Sequence, residues 1–161
     1  MEMRRVVVTG LGALTPIGNN IEEYWNGLIN GVSGAAPITH FDASQAKTQF
    51  ACELKNFDGN QFFDRKEIRK YDKFAQYGIV AADQAMLDSG INLENLDKDR
   101  AGVIWASGIG GIITFQEEIM SFAKGDGALR FSPSFIPKMI ADICAGHISI
   151  KYDLRGPDFC T

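Results

Sequence analysis

Twice along this chain an apolar run ends on closely spaced glycines and gives way to a helical pattern. The first is Val6-Val7-Val8-Thr9, followed by Gly10-Leu11-Gly12. The second is Ala101-Gly102-Val103-Ile104-Trp105-Ala106, followed by Ser107-Gly108-Ile109-Gly110-Gly111. Runs of this kind, without polar alternation, are the pattern of strands buried on both faces. The 161 residues are 45% hydrophobic and 22% charged, enough for one core, and a single domain over residues 1–161 is expected.

Strand, Gly-x-Gly, then helix also suggests dinucleotide binding, but the spacing argues against it. Thr15 stands where the third glycine belongs, and Pro16 keeps the chain out of helix where a helix N-terminus should meet pyrophosphate. No acidic residue ends a second strand at ribose-binding distance. At the second loop the glycines are compressed and no Lys-Ser or Lys-Thr follows, so it is not a P-loop. Both are expected to be tight loops that let backbone or ligand approach closely. Ile109, with glycine on each side, is placed to protrude and suits a gate on an apolar pocket; the alternative is a turn with one buried isoleucine.

A formal charge of −4 and a pI near 5.1 argue against a general nucleic-acid or anionic-membrane binder. Cys52, Cys144 and Cys160 are odd in number and widely spaced, which indicates neither a disulfide framework nor a zinc site and fits reduced thiols. His40 has no metal-like partner at a useful spacing. No apolar run has the length of a signal peptide or a membrane span.

The helices are marked by their caps. One should begin after Asn19 or Asn20, bury Tyr24, Trp25, Leu28 and Ile29, and stop at Gly31. Phe50–Leu54 has the character of a strand. Asp64 with Glu67 approaches a capping box. Beyond it Lys66, Arg69, Lys70 and Lys73 recur on one side, the densest positive patch in an acidic chain. Spacing alone favours a solvated face over a dock for an acidic partner. Residues 72–89 form a strongly helical stretch. Its narrow face of Gly78, Ala81, Ala82 and Ala85 suits close packing, and Gly90 closes it. A further helix should turn Phe115, Ile119, Met120 and Phe122 mostly inward and end near Lys124-Gly125.

Phe131-Ser132-Pro133-Ser134-Phe135-Ile136-Pro137, with two prolines, cannot be a helix interior and is expected to pack on a partner or line a pocket. A helix over Met139, Ile140, Ile143, Ala145 and Gly146 follows. Cys144 and His147 lack an activating acid and are taken as packing. Gly156-Pro157 then makes a turn into a strand at Asp158-Phe159-Cys160-Thr161, where Cys160 has neither a helix N-terminus nor a basic neighbour in sequence. No turn signal ends that strand, so a fragment of a longer protein is expected.

Five motifs in order are similar to those of one family. They are Val6–Gly12, Thr15-Pro16-Ile17-Gly18, Arg65-Lys66-Glu67-x-Arg69-Lys70-x-Asp72, Ser107–Gly111, and Ala145-Gly146-His147 through Gly156-Pro157. Together they resemble the β-ketoacyl-[acyl-carrier-protein] synthases, nearest the elongating synthase II type, over essentially the whole chain. The resemblance implies an α/β fold: the N-terminal half of a thiolase-like fold, a mixed sheet covered by helices. It implies a homodimer that uses acyl and malonyl thioesters, and the reduced thiols fit a cytoplasmic location. Acyl carrier protein would be the partner and would bring the phosphopantetheine, so no cofactor is the chain's own.

It places no catalytic residue here: the nucleophilic cysteine would lie a few residues past Thr161, and His40 and His147 match neither catalytic histidine. It makes Ile109, between Gly108 and Gly110, the acyl-pocket gate. Phe135 and Ile136 become the segment near the dimer interface that reaches the partner's pocket. It turns Lys66, Arg69 and Lys70 into a carrier-protein dock, joined by Arg130, with Leu129 where some relatives carry a second base. A stand-alone carrier-binding module and a polyketide-type ketosynthase are the alternatives.

Overall fold

The computed structural model describes residues 3–125, 128 and 130–161; Leu129 lies outside them. The chain divides into two compact units, residues 1–58 with 80–90, and residues 59–79 with 91–161.

In the first unit, helix α1 (Ile21–Ile29) starts at Asn20, whose side chain accepts the Glu23 N–H, and ends before Gly31 at φ +64°. Short strands β1 (Ala36–Pro37) and β2 (Phe50–Ala51) pair antiparallel. The strand expected over Phe50–Leu54 is thus only two residues long. Two other expectations are corrected here. Val6-Val7-Val8-Thr9 is not a strand, and Val6 is 90% exposed. A β-branched run becomes a strand only by pairing, and this one has no ladder partner among the described residues. In α1, Trp25, Leu28 and Ile29 are exposed, while Gly27 is the buried residue. A Cβ on Gly27 would stand 3.0 Å from the Ile17 carbonyl oxygen, so the contact is backbone against a small residue.

Helices α2 (Arg65–Lys70) and α3 (Lys73–Ser89) follow. The capping box is complete: Asp64 accepts the Lys66 and Glu67 N–H groups, and Glu67 accepts the Asp64 N–H at 2.9 Å. Tyr71 breaks the helix with extended backbone, which takes Lys73 off the face of Lys66, Arg69 and Lys70. The small-residue face of α3 packs as its composition predicts. Its later part gives the first unit Ala81 and Ala85, and Cβ atoms on Gly12 and Gly10 would stand 1.9 and 2.2 Å from their carbonyl oxygens. The first glycine loop is therefore filled by helix backbone.

In the second unit, Gly78 of α3 faces the Trp105 ring and Cys144 Sγ. Strand β3 (Val103–Trp105) pairs in parallel with β4 (Asp158–Cys160), Trp105 opposite Cys160. The crossover runs through α4 (Ile112–Lys124), α5 (Phe135–Met139) and α6 (Ile143–Tyr152), and α6 packs on both strands. Asp153, left-handed at φ 55°, ends α6 and leads to the expected turn and strand.

The segment through Pro137 is no helix interior, as expected, but its end enters the short helix α5. Pro137 occupies its first turn, where a missing N–H costs nothing because that group has no intrahelical acceptor. Met139 closes α5 rather than opening the next helix. Phe115, Ile119, Met120 and Phe122 of α4 are more exposed than expected.

Candidate functional site

Two features of the second unit carry chemistry: an apolar cleft beside the second glycine loop, and the basic helix α2.

The cleft is built by local geometry after β3. Ser107 Oγ accepts the Gly110 N–H at 3.0 Å, closing the loop over Ile109. Gly110 has φ +77°, a left-handed conformation that glycine adopts without a steric penalty. A Cβ there would stand 2.5 Å from the Met139 carbonyl oxygen. The loop is thus anchored on α5 on one side, while nothing crowds Gly108 on the other. Ile109 protrudes and is 70% exposed, the first of the two alternatives that its flanking glycines allow. Its side chain borders a cavity of about 360 Å³ with Ile112, Phe115, Met139, Ile140 and Ala141.

An aromatic row continues from this wall: Phe115 stacks on Phe135 (6.2 Å between centroids), Phe135 on Phe131 (5.5 Å), and Phe131 lies tilted on Phe122 (5.7 Å). The structure thereby brings Ile109 and Phe135 to one apolar wall. Ile136 is exposed on α5. Such a surface takes an alkyl chain by burial of apolar area, with no polar group to fix its length.

On α2, Lys66, Arg69 and Lys70 are exposed and make no ion pair among the described residues. Arg130 is exposed on the segment between α4 and α5, a separate element. The end of α2 rests on an aromatic ladder, Phe63 to Tyr71 at 5.5 Å and Tyr71 to His147 at 4.6 Å. Burial, and then the neighbouring charges of Glu67 and Asp64, push the Tyr71 hydroxyl above its ordinary pKa. Burial, and then the Lys70 ammonium, hold His147 below its ordinary value. His147 packs edge-on against the Tyr71 ring. Cys144 is fully buried, and its thiol donates to the Ala75 carbonyl oxygen at 3.7 Å. His40 is exposed, with its backbone N–H on Glu53 Oε1 at 3.3 Å. Among the described residues no group of three or more His, Cys, Asp or Glu side chains is placed to hold a metal ion, and no helix is long and apolar enough to cross a membrane.

One residue of the third motif, Asp72, has a part that its spacing did not show. Asp72, 7% exposed, accepts the Thr114 N–H at 3.1 Å and the Thr114 hydroxyl at 2.5 Å through Oδ2, and the Phe74 N–H at 3.3 Å through Oδ1. In the sequence it stood as the end of that motif, beside a helix start, while its partner is 42 residues away.

The fold, two parallel strands joined through helices with a glycine loop opening on an apolar cleft, is that of the thiolase-like ketosynthases. It superposes with a TM-score of 0.75 on a type II PKS ketosynthase, solved in complex with its acyl-carrier protein and bound to the hexaketide. The match covers 94% of this chain and 40% of that one at 25% identity. The chain belongs to the beta-ketoacyl synthase family, matching its N-terminal domain over residues 3–161. It is 42% identical over all of its length to 3-oxoacyl-[acyl-carrier-protein] synthase 2 of Synechocystis sp.. It is 44% identical over 98% of its length to the synthase 2 of Coxiella burnetii. It spans 38% of the length of each.

Proposed function

We propose that this chain is the N-terminal part of a 3-oxoacyl-[acyl-carrier-protein] synthase that elongates fatty acids by decarboxylative Claisen condensation. In that reaction a cysteine thiolate takes the acyl group from its carrier thioester. Malonyl-carrier protein loses carbon dioxide, and the resulting carbanion attacks the acyl thioester, releasing the thiolate. Identity of 42% and 44% across the whole chain to two synthases of that name is the observation that carries the reading. Identity of 25% to the polyketide ketosynthase makes the polyketide-type reading the weaker one.

In this reading residues 1–161 are one N-terminal synthase domain, supported by the unbroken family match over residues 3–161. Ile109, held between Gly108 and Gly110, gates the acyl pocket, and its place on the apolar wall supports that role. Phe135 and Ile136 contribute the segment that reaches a partner subunit's pocket in a homodimer. Lys66, Arg69 and Lys70, with Arg130, receive the acidic carrier protein, a role supported by the exposure of all four and, for the three on α2, by the absence of an ion pair among the described residues. Positive charge placed this way raises the encounter rate more than it holds the complex, and salt screens it. No residue of the chain acts as the nucleophile.

The test is condensation of acyl- and malonyl-carrier thioesters by the full-length protein, followed as carbon dioxide release. Activity in the full-length protein and none in residues 1–161 alone is expected. Turnover by residues 1–161 alone would refute the assignment of roles.

A further inference from the structure

We propose that Asp72 is a positioning residue that couples the basic helix to the gate loop, an inference that rests on the docking and gating roles just given. Asp72 follows the last basic residue of α2 by two positions and directly precedes α3. Helix α4 begins three residues after Ile109, and its N-cap, Gly111, has no side chain to satisfy the free N–H groups of the first turn. Asp72 supplies that cap from a distance, through the Thr114 N–H and hydroxyl, while its other oxygen takes the Phe74 N–H of α3. One buried carboxylate therefore closes two helix N-termini, each with a dipole that favours negative charge.

Few alternative partners are open to it. The carboxylate is nearly out of solvent, and an unmade hydrogen bond there would leave a buried donor orphaned. A displacement of the α2–α3 junction must carry Thr114 with it or break the cap. The first turn of α4 continues back into the gate loop through the Phe115 N–H on the Gly111 carbonyl oxygen at 3.0 Å and the Ile112 N–H on that of Gly110 at 2.9 Å. Engagement of α2 by an acidic protein is thereby transmitted to Ile109.

The test is amide hydrogen exchange of the full-length protein with and without apo acyl carrier protein. The apo form lacks the phosphopantetheine arm and cannot reach the cleft itself. In the wild type, saturating carrier is expected to slow exchange over residues 65–71 and to change it over residues 109–115 by about fivefold or more. In Asp72→Asn the response at 65–71 should remain and that at 109–115 should vanish. Thr114→Val removes only the hydroxyl contact and serves if Asp72→Asn fails to fold; it should weaken the distant response, and Thr114→Ser should keep it. An undiminished response at 109–115 in Asp72→Asn or Thr114→Val would overturn the coupling. So would a wild-type response confined to 65–71, which leaves the docking role standing. No response at 65–71 would remove the docking role and the coupling together.

Discussion

Burial holds the Cys144 thiol protonated: desolvation, with the nearby Cys160, pushes its pKa up to about 12. A thiol reacts as its thiolate, so Cys144 should be inert at neutral pH while exposed Cys52 is open to attack. Iodoacetamide labelling of the native chain, read by mass spectrometry, should modify Cys52 and reach Cys144 only after denaturation; equal labelling rates would contradict this placement. His147 gives the second prediction at this scale. Its pKa is lowered from 6.5, by burial first and by Lys70 second. Between the lowered value and 6.5 the unfolded chain binds the proton that the folded chain refuses. Stability is therefore full above about pH 6.5 and falls on acidification through that window. His147→Gln should lessen the loss of Tm between about pH 7 and pH 5. The carboxylates of Asp42, Glu53 and Asp153, also held low, titrate alike in both proteins. An unchanged pH slope would show that His147 does not contribute.

Helices here are set by chemistry of two ranges, and the difference decides what a sequence reveals. The Asn20 cap, the Asp64–Glu67 capping box and the halt at Gly90 each involve residues within a turn of one another, and all were legible in the sequence. Asp64→Ala should cost about 1 kcal/mol, seen as a lower Tm. The inward faces of α1 and α4 were not legible, because periodicity shows which side is apolar but not whether anything lies against it. Trp25 and Ile119 have the right spacing and stay exposed. The partner of Asp72 was hidden for the same reason, being on a distant helix.

The small face of α3 was legible, and it supports a sharper prediction. A Cβ on Gly78 would fall 2.3 Å from the Trp105 ring and 2.6 Å from Cys144 Sγ. Gly78→Ala should therefore destabilise by about 1–3 kcal/mol through overpacking. The gain in helix propensity, about 1 kcal/mol, offsets only part of this. Chemical denaturation measures the sum, and a stabilised Gly78→Ala would show that the contact yields.

For the molecule as a whole, the family was legible from five short motifs in order, while the strand at Val6–Thr9 was not realised. Ile104 and Phe159 are register partners on β3 and β4 and both are exposed, as are Val6, Val8 and Ile150. A two-stranded pairing is marginal alone, and apolar surface of this extent calls for a covering partner. Residues 1–161 in isolation should self-associate, and light scattering that shows a monodisperse monomer would contradict this.

The claim on which the rest depends is that this chain supplies a pocket wall and a docking helix but not the reacting sulfur. Mass spectrometry after incubation with an acyl-carrier thioester tests it most directly. The full-length protein should gain one acyl group, on a cysteine beyond Thr161, and residues 1–161 alone should gain none. An acyl group on Cys52, Cys144 or Cys160 would contradict it.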